Sequence, residues 1–108
     1  MKNDKLKVAL IQDWEGAKKD DDCDIRILGY IALQDWEGAK NDPYWRNREL
    51  GYKASQDWEG AKKDDDCDIR RLGYAVTQDW EGAKNDPYWR IRELGILAEK
   101  HINKGGIK

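Results

Sequence analysis

The side chains able to do covalent chemistry are few and scattered. One histidine (His101), one serine (Ser55) and one threonine (Thr77) are spread through 108 residues, with two cysteines, Cys23 and Cys67. A nucleophile needs its base within hydrogen-bond reach, and no local spacing brings any of these together. No glycine-rich stretch of the phosphate-cradling kind is present. Carboxylates cluster at Asp20, Asp21, Asp22, Asp24 and again at Asp64, Asp65, Asp66, Asp68. These clusters lack the spacing, central glycine and terminal glutamate of an EF-hand loop, and no apolar setting marks one of them for a raised pKa. The expectation is a non-enzymatic chain with no cofactor and no metal. Neither cysteine has a second Cys or a His at ligand spacing. They read as free, part-buried thiols in a reducing compartment, with a bridge between repeats or between chains as the alternative. If the repeats stack in order, an intervening unit separates them and an intrachain disulfide would be too long.

Chemistry of recognition is more concentrated. "YWR" occurs at 44–46 and 88–90, followed by Arg48 and Arg92. Tyr, Trp and Arg are the types enriched in binding hot spots. The expected partner-binding set is therefore Tyr44, Trp45, Arg46, Arg48, Tyr88, Trp89, Arg90 and Arg92. The competing account has Trp45 and Trp89 filling the slot that Cys23 and Cys67 fill elsewhere. Acidic turns alternate with these basic-aromatic ones, so a shared edge would carry banded charge suited to a protein partner or to self-association. Nucleic acid is the second partner class, through the same arginines and aromatics. The net charge of −2 gives it no general attraction, nor any to an anionic membrane. No apolar run reaches membrane-spanning length, and "MKNDKLKVALIQDW" lacks a signal peptide's apolar core, so a cytoplasmic protein is expected.

The elements that must position these residues are written as a repeat. "QDWEGAK" starts at 12, 34, 56 and 78, and the units are 12–33, 34–55, 56–77 and 78–99. First and third agree at 18 of 22 positions, as do second and fourth, so the true period is 44. Recent duplication and deliberate construction both account for that, and a repeat array made or expanded as a structural object with no ligand is a third functional reading. Such periodicity marks stacked supersecondary units. Ile25, Leu28, Ala32, Trp36 and Ala39 recur at helical spacing, with Gly29 beside them where a neighbouring helix can approach. Trp14, Trp36, Trp58 and Trp80 share one phase and are expected to pack inward. Asp42 and Asp86 are expected N-caps, with Pro43 and Pro87 at the first helical position, and Asp20 and Asp64 caps in the other unit type. The unit is either one helix of about 18 residues or a longer helix followed by a short one capped by Asp35 or Asp57.

"DDDCDIRILGYIALQDWEGAK" resembles very short HEAT-like α-helical repeats of phage and bacterial proteins, through Asp24, Ile25, Arg26, Tyr30, Leu33, Glu37 and Ala39 and their later counterparts. The resemblance spans 12–99 and favours the split unit. It implies a right-handed α-solenoid in which the Arg reaches the neighbouring unit's turn. It also implies a scaffold or protein-binding role, one version being a phage-encoded factor that modulates a host protein, while a minority of such arrays grip DNA. Two departures stand out: Gln12, Gln34, Gln56 and Gln78 replace the usual helix-ending Gly, and "RNR" and "RIR" replace "DIR". A single domain, 1–108, is expected. Residues 1–11 read as an N-terminal capping half-unit, with Leu6, Val8 and Ile11 aligned to Leu28, Tyr30 and Leu33. Residues 100–108 read as a C-terminal cap, with Ile102 where a Trp would recur.

Overall fold

A computed structural model describes residues 13–103, and among these there are eight helices and no strand. They are α1 (Trp14–Ala17), α2 (Cys23–Leu33), α3 (Trp36–Lys40), α4 (Trp45–Ser55), α5 (Trp58–Ala61), α6 (Cys67–Thr77), α7 (Trp80–Lys84) and α8 (Trp89–Asn103). The chain is all-α, a short helix alternating with a long one. It divides into two compact units, Met1–Gln56 and Asp57–Lys108, each with two repeats. In the first, α1 packs on α2, α2 on α3 and α3 on α4; in the second, α5, α6, α7 and α8 follow the same order. Consecutive packing of this kind is the arrangement of a helical-repeat array. The expected half-unit at 1–11 lies outside the described residues, as does the tail beyond 103.

Each repeat is two helices, and the break falls on the glutamines. Gln34, Gln56 and Gln78 have φ of 52°, 56° and 55°, the left-handed region. That conformation costs an L-residue about 1–2 kcal/mol. Hydrogen bonds that close the helix offset it. The Gln34 N–H donates to the Ile31 carbonyl at 3.1 Å, and the Asp35 N–H reaches back to Tyr30 O at 2.9 Å. Gln78 and Asp79 repeat this pattern on Ala75 and Tyr74, the Schellman closure that usually employs Gly. The same Asp then starts the next helix, Asp35 Oδ1 accepting the Gly38 N–H at 2.9 Å. Asp13, Asp57 and Asp79 do likewise. The pair Gln-Asp therefore both ends and begins a helix. After Glu99 the sequence is Lys-His, and α8 continues to Asn103.

The single stripe expected from Ile25 to Ala39 does not survive this break. Leu28 and Ala32 are exposed, and the buried set is Ile25, Gly29 and Tyr30 on α2 with Ala39 on α3. The Trp at 14, 36, 58 and 80 is half-buried at every copy. The innermost apolar side chains are Ile25, Ile69 and Ile91 on the long helices and Ala17, Ala39, Ala61 and Ala83 on the short ones, all at most 2% exposed. Gly29 does admit its neighbour, since a Cβ there would lie 2.7 Å from Trp14 O and 2.9 Å from Lys18 N. Bulk is thus excluded at the α1–α2 contact on both sides.

The caps also differ from expectation. Asp22 and Asp66 are the N-caps of α2 and α6, accepting from the N–H of Asp24 and Asp68. Asp20 and Asp64 sit two residues earlier, each accepting the N–H two places on at 2.8 Å. For α4 the capping position is Tyr44, with no side-chain cap, and Asp42 is 2% exposed. Pro43 accordingly precedes the helix. The carboxylate predicted to sit on the helix end has been drawn inside, because it is needed there.

A candidate partner-binding cleft

What draws Asp42 inside is an arginine on the preceding long helix. Arg26 Nε and Nη2 approach Asp42 Oδ2 and Oδ1 at 2.7 and 3.1 Å, a two-pronged pair of the kind that holds carboxylates well. Tyr30 Oη donates to Oδ2 at 2.7 Å and the Tyr44 N–H to Oδ1 at 2.9 Å. Arg26 Nη1 turns back to the Asp20 and Asp21 carbonyls, each at 3.0 Å. The second unit repeats this with Arg70, Tyr74 and Asp86. Burial works to raise the Asp42 pKa, but the Arg26, Tyr30 and Tyr44 hydrogen bonds outweigh it and hold the carboxyl below its ordinary range. Burial, and then the bond to Asp42, push the Tyr30 phenol up to about 12. Each latch ties a long helix to the turn that launches the next.

A second latch lies in "QDWEGAK" itself. Lys18 Nζ bridges Glu15 at 3.0 Å and Asp35, the cap of the following repeat's short helix, at 2.8 Å. Lys62 does the same with Glu59 and Asp79. The hydrogen bond from Lys18, and then the Gly38 N–H, lower the Asp35 pKa. Lys84 pairs with Glu81 at 3.2 Å and with Glu99 at 2.7 Å. The reach of the Arg to the neighbouring repeat's turn, expected from the resemblance, is seen in Arg26 and Arg70, although its carboxylate partner was not legible in the sequence. The lysine latch was not legible either, although recurrence of Lys and Asp at fixed phase was the available signal.

On this frame the second unit carries a cleft of about 550 Å³ between the start of α6 and one side of α8. Tyr88, Trp89 and Arg90 line one end, and Ile91, Leu94 and Leu97 continue it along α8. Cys67, Asp68 and Arg71 form the opposite wall, with Glu93 at the rim of α8. Trp89 is 53% exposed and Leu97 57%. Arg90 places its guanidinium 5.0 Å from the Trp89 ring centre, and Tyr88 meets the same ring edge-on at 6.3 Å. The aromatic is thereby held in place at the mouth of a concave, mixed-polarity surface.

Of the eight residues expected to bind a partner, the structure brings Tyr88, Trp89 and Arg90 together in that cleft. Tyr44, Trp45 and Arg46 form the equivalent group in the first unit, with Arg46 4.8 Å from the Trp45 ring, but Trp45 is half-buried. Arg48 and Arg92 stand apart, because each donates Nη1 to two carbonyls of its own turn: Asp42 and Pro43, or Asp86 and Pro87. The α6 wall and Leu97 were missed by sequence reasoning, since only folding sets α6 beside α8.

The other chemical residues have structural surroundings. Ser55 and Thr77 hydroxyls donate back to the Gly51 and Gly73 carbonyls of their own helices. Cys23 and Cys67 are free thiols, half-buried. Ligand atoms of Asp22, Cys23 and Asp24 lie within 4.8 Å of one another, but Asp22 Oδ1 is engaged by the Asp24 N–H as a helix cap. Among the described residues no helix is long and apolar enough to cross a membrane. No protein-family model, curated protein or solved structure matches the chain.

Proposed function

We propose that the chain is a non-catalytic protein-interaction module that takes a short peptide segment into the cleft between α6 and α8. The observation that carries this is Trp89. An indole more than half exposed forgoes burial worth a few kcal/mol, yet it is fixed by Arg90 and Tyr88 rather than folded inward. It lines the same cleft as Leu94 and Leu97, where an apolar side chain of a partner would find both area and a floor. Arg71 and Arg90 on one hand, Asp68 and Glu93 on the other, offer both signs of charge to the partner's backbone and flanks. The acidic pair and the net charge of −2 weigh against nucleic acid.

The test is selection of a random peptide library on the immobilised chain, with a Trp89→Ala, Leu97→Ala chain as counter-selector. Peptides with an apolar or aromatic anchor are expected, and their affinity should fall about 10-fold or more in either single variant, the loss typical of a hot-spot truncation. Peptides that bind the double variant equally well, or a library that yields none, would refute the cleft as a binding site.

A further inference from the structure

The latch between arginine and aspartate closes once in each compact unit, and among the described residues Arg92 and Asp20 hold the matching repeat positions without such a partner. Arg26 clasps Asp42 and Arg70 clasps Asp86, always sixteen residues apart. Arg92 occupies the same repeat position as Arg26 and Arg70. Among the described residues it has no carboxylate partner, only the Asp86 and Pro87 carbonyls, each at 2.8 Å. Sixteen residues on, the recurrence arrives at Lys108, a like charge. Asp20 occupies the position of Asp42 and Asp86. Among the described residues its carboxylate accepts only the Asp22 N–H, and the residue is half-buried where Asp42, Asp64 and Asp86 are buried. Sixteen residues before it stands Asp4, again a like charge.

An apolar feature accompanies the open arginine. Tyr30, Tyr52 and Tyr74 are 7–9% exposed, but their counterpart on α8, Ile96, is 44% exposed. Arg92, Ile96 and Glu99 fall at i, i+4 and i+7, so they share one stripe of α8. That stripe lies on the other side of buried Ile91 and Gly95 from the Arg90 and Leu94 side that faces the cleft. It is the stripe from which earlier long helices reach forward.

From this we infer that the chain associates head to tail with a second copy of itself, Arg92 of one copy clasping Asp20 of the next while Ile96 is covered. The contact is heterologous, so it propagates as an open series unless a ring closes. It uses a different face from the peptide cleft and stands whether or not the cleft binds anything.

The experiment is sedimentation equilibrium of the full chain over a dilution series reaching about 1 mM, the range where weak self-association is populated. The wild-type mass should climb from 12.6 kDa through its multiples. Arg92→Asp and Asp20→Arg chains should each stay at one chain mass, because each sets like charges against one another across the contact. Mixed one to one, they should associate again. The carboxylate introduced in the first variant then meets the guanidinium introduced in the second, and the Arg92 that the second retains meets the Asp20 that the first retains. Ile96→Lys, which leaves the turn contacts of Arg92 intact, should also abolish association, and circular dichroism confirms that each variant is folded. A wild type that stays at 12.6 kDa throughout, or variants that associate as the wild type does, or a mixture that does not, overturns the inference.

Discussion

Replacing Asp86 with Asn keeps the shape of the buried carboxylate and removes its charge. In the intact protein Asp86 has no exposed side-chain surface and receives Arg70 Nε at 2.8 Å, Arg70 Nη2 at 3.2 Å, Tyr74 Oη at 2.9 Å and the Tyr88 N–H at 2.8 Å. All four contacts are donors, so an amide NH2 in place of one oxygen sets donor against donor. Arg70, itself 14% exposed, also loses its anion while remaining largely out of water. Removing one partner of a buried pair costs about 3–5 kcal/mol, against a total of about 5–15 kcal/mol for a domain of this size. The control is Arg71→Ala, which deletes a 3.1 Å pair with Asp68 whose members are 59% and 55% exposed; its cost should be about 0–1 kcal/mol. Urea titration followed by far-ultraviolet circular dichroism gives both values from midpoint shifts at a common slope. Tyr74→Phe should couple to Asp86→Asn, the double variant losing less than the sum. If Asp86→Asn costs no more than Arg71→Ala, the buried carboxylate is not what ties α6 to the turn before α8.

Three further outcomes rest on the same contacts. Gly73→Ala, ordinarily worth about 1 kcal/mol of helix stabilisation, should here destabilise by about 1–3 kcal/mol. The added Cβ would sit 2.9 Å from both Lys62 N and Trp58 O, and a lowered urea midpoint checks it. Asn47, 4% exposed and donating to Cys23 O at 3.1 Å, holds the position of Ile25, Ile69 and Ile91. Because Cys23 O already has a helical role, Asn47→Ile should raise stability by about 1–2 kcal/mol, seen as a higher melting temperature. The pH profile should fall at both ends. The lowered pKa of Asp42 and Asp86 makes their contribution full above the ordinary 3.8 and lost as pH drops through the folded value beneath it. Tyr30, raised from 10.0 to about 12, contributes fully below pH 10.0 and is lost as pH rises towards 12. Urea midpoints of a Tyr30→Phe, Tyr74→Phe chain should lack that alkaline decline.

The YWR clusters were visible in the sequence because Tyr, Trp and Arg side by side are unusual, but the cleft they belong to was not. Its far wall, Cys67, Asp68 and Arg71, lies some twenty residues earlier and joins Tyr88, Trp89 and Arg90 only when α6 and α8 lie side by side. Trp45 and Trp89 come from near-identical units, yet the first is half-buried and the second exposed. No local rule distinguishes them, since exposure depends on which side chains folding brings beside each indole.

By itself, the sequence determined that the chain is helical, that it repeats every 22 residues in an alternation of 44, and that Gly29 and its counterparts admit a close neighbour. Those properties follow from side-chain period and size, which act within one turn or one contact. Tertiary structure decided which carboxylates cap helices and which turn inward. Asp42 looks like an N-cap in its own segment, and only Arg26 and Tyr30, 16 and 12 residues back, supply the donors that make its burial favourable. A charge leaves water where enough partners converge, and convergence is a property of the folded chain.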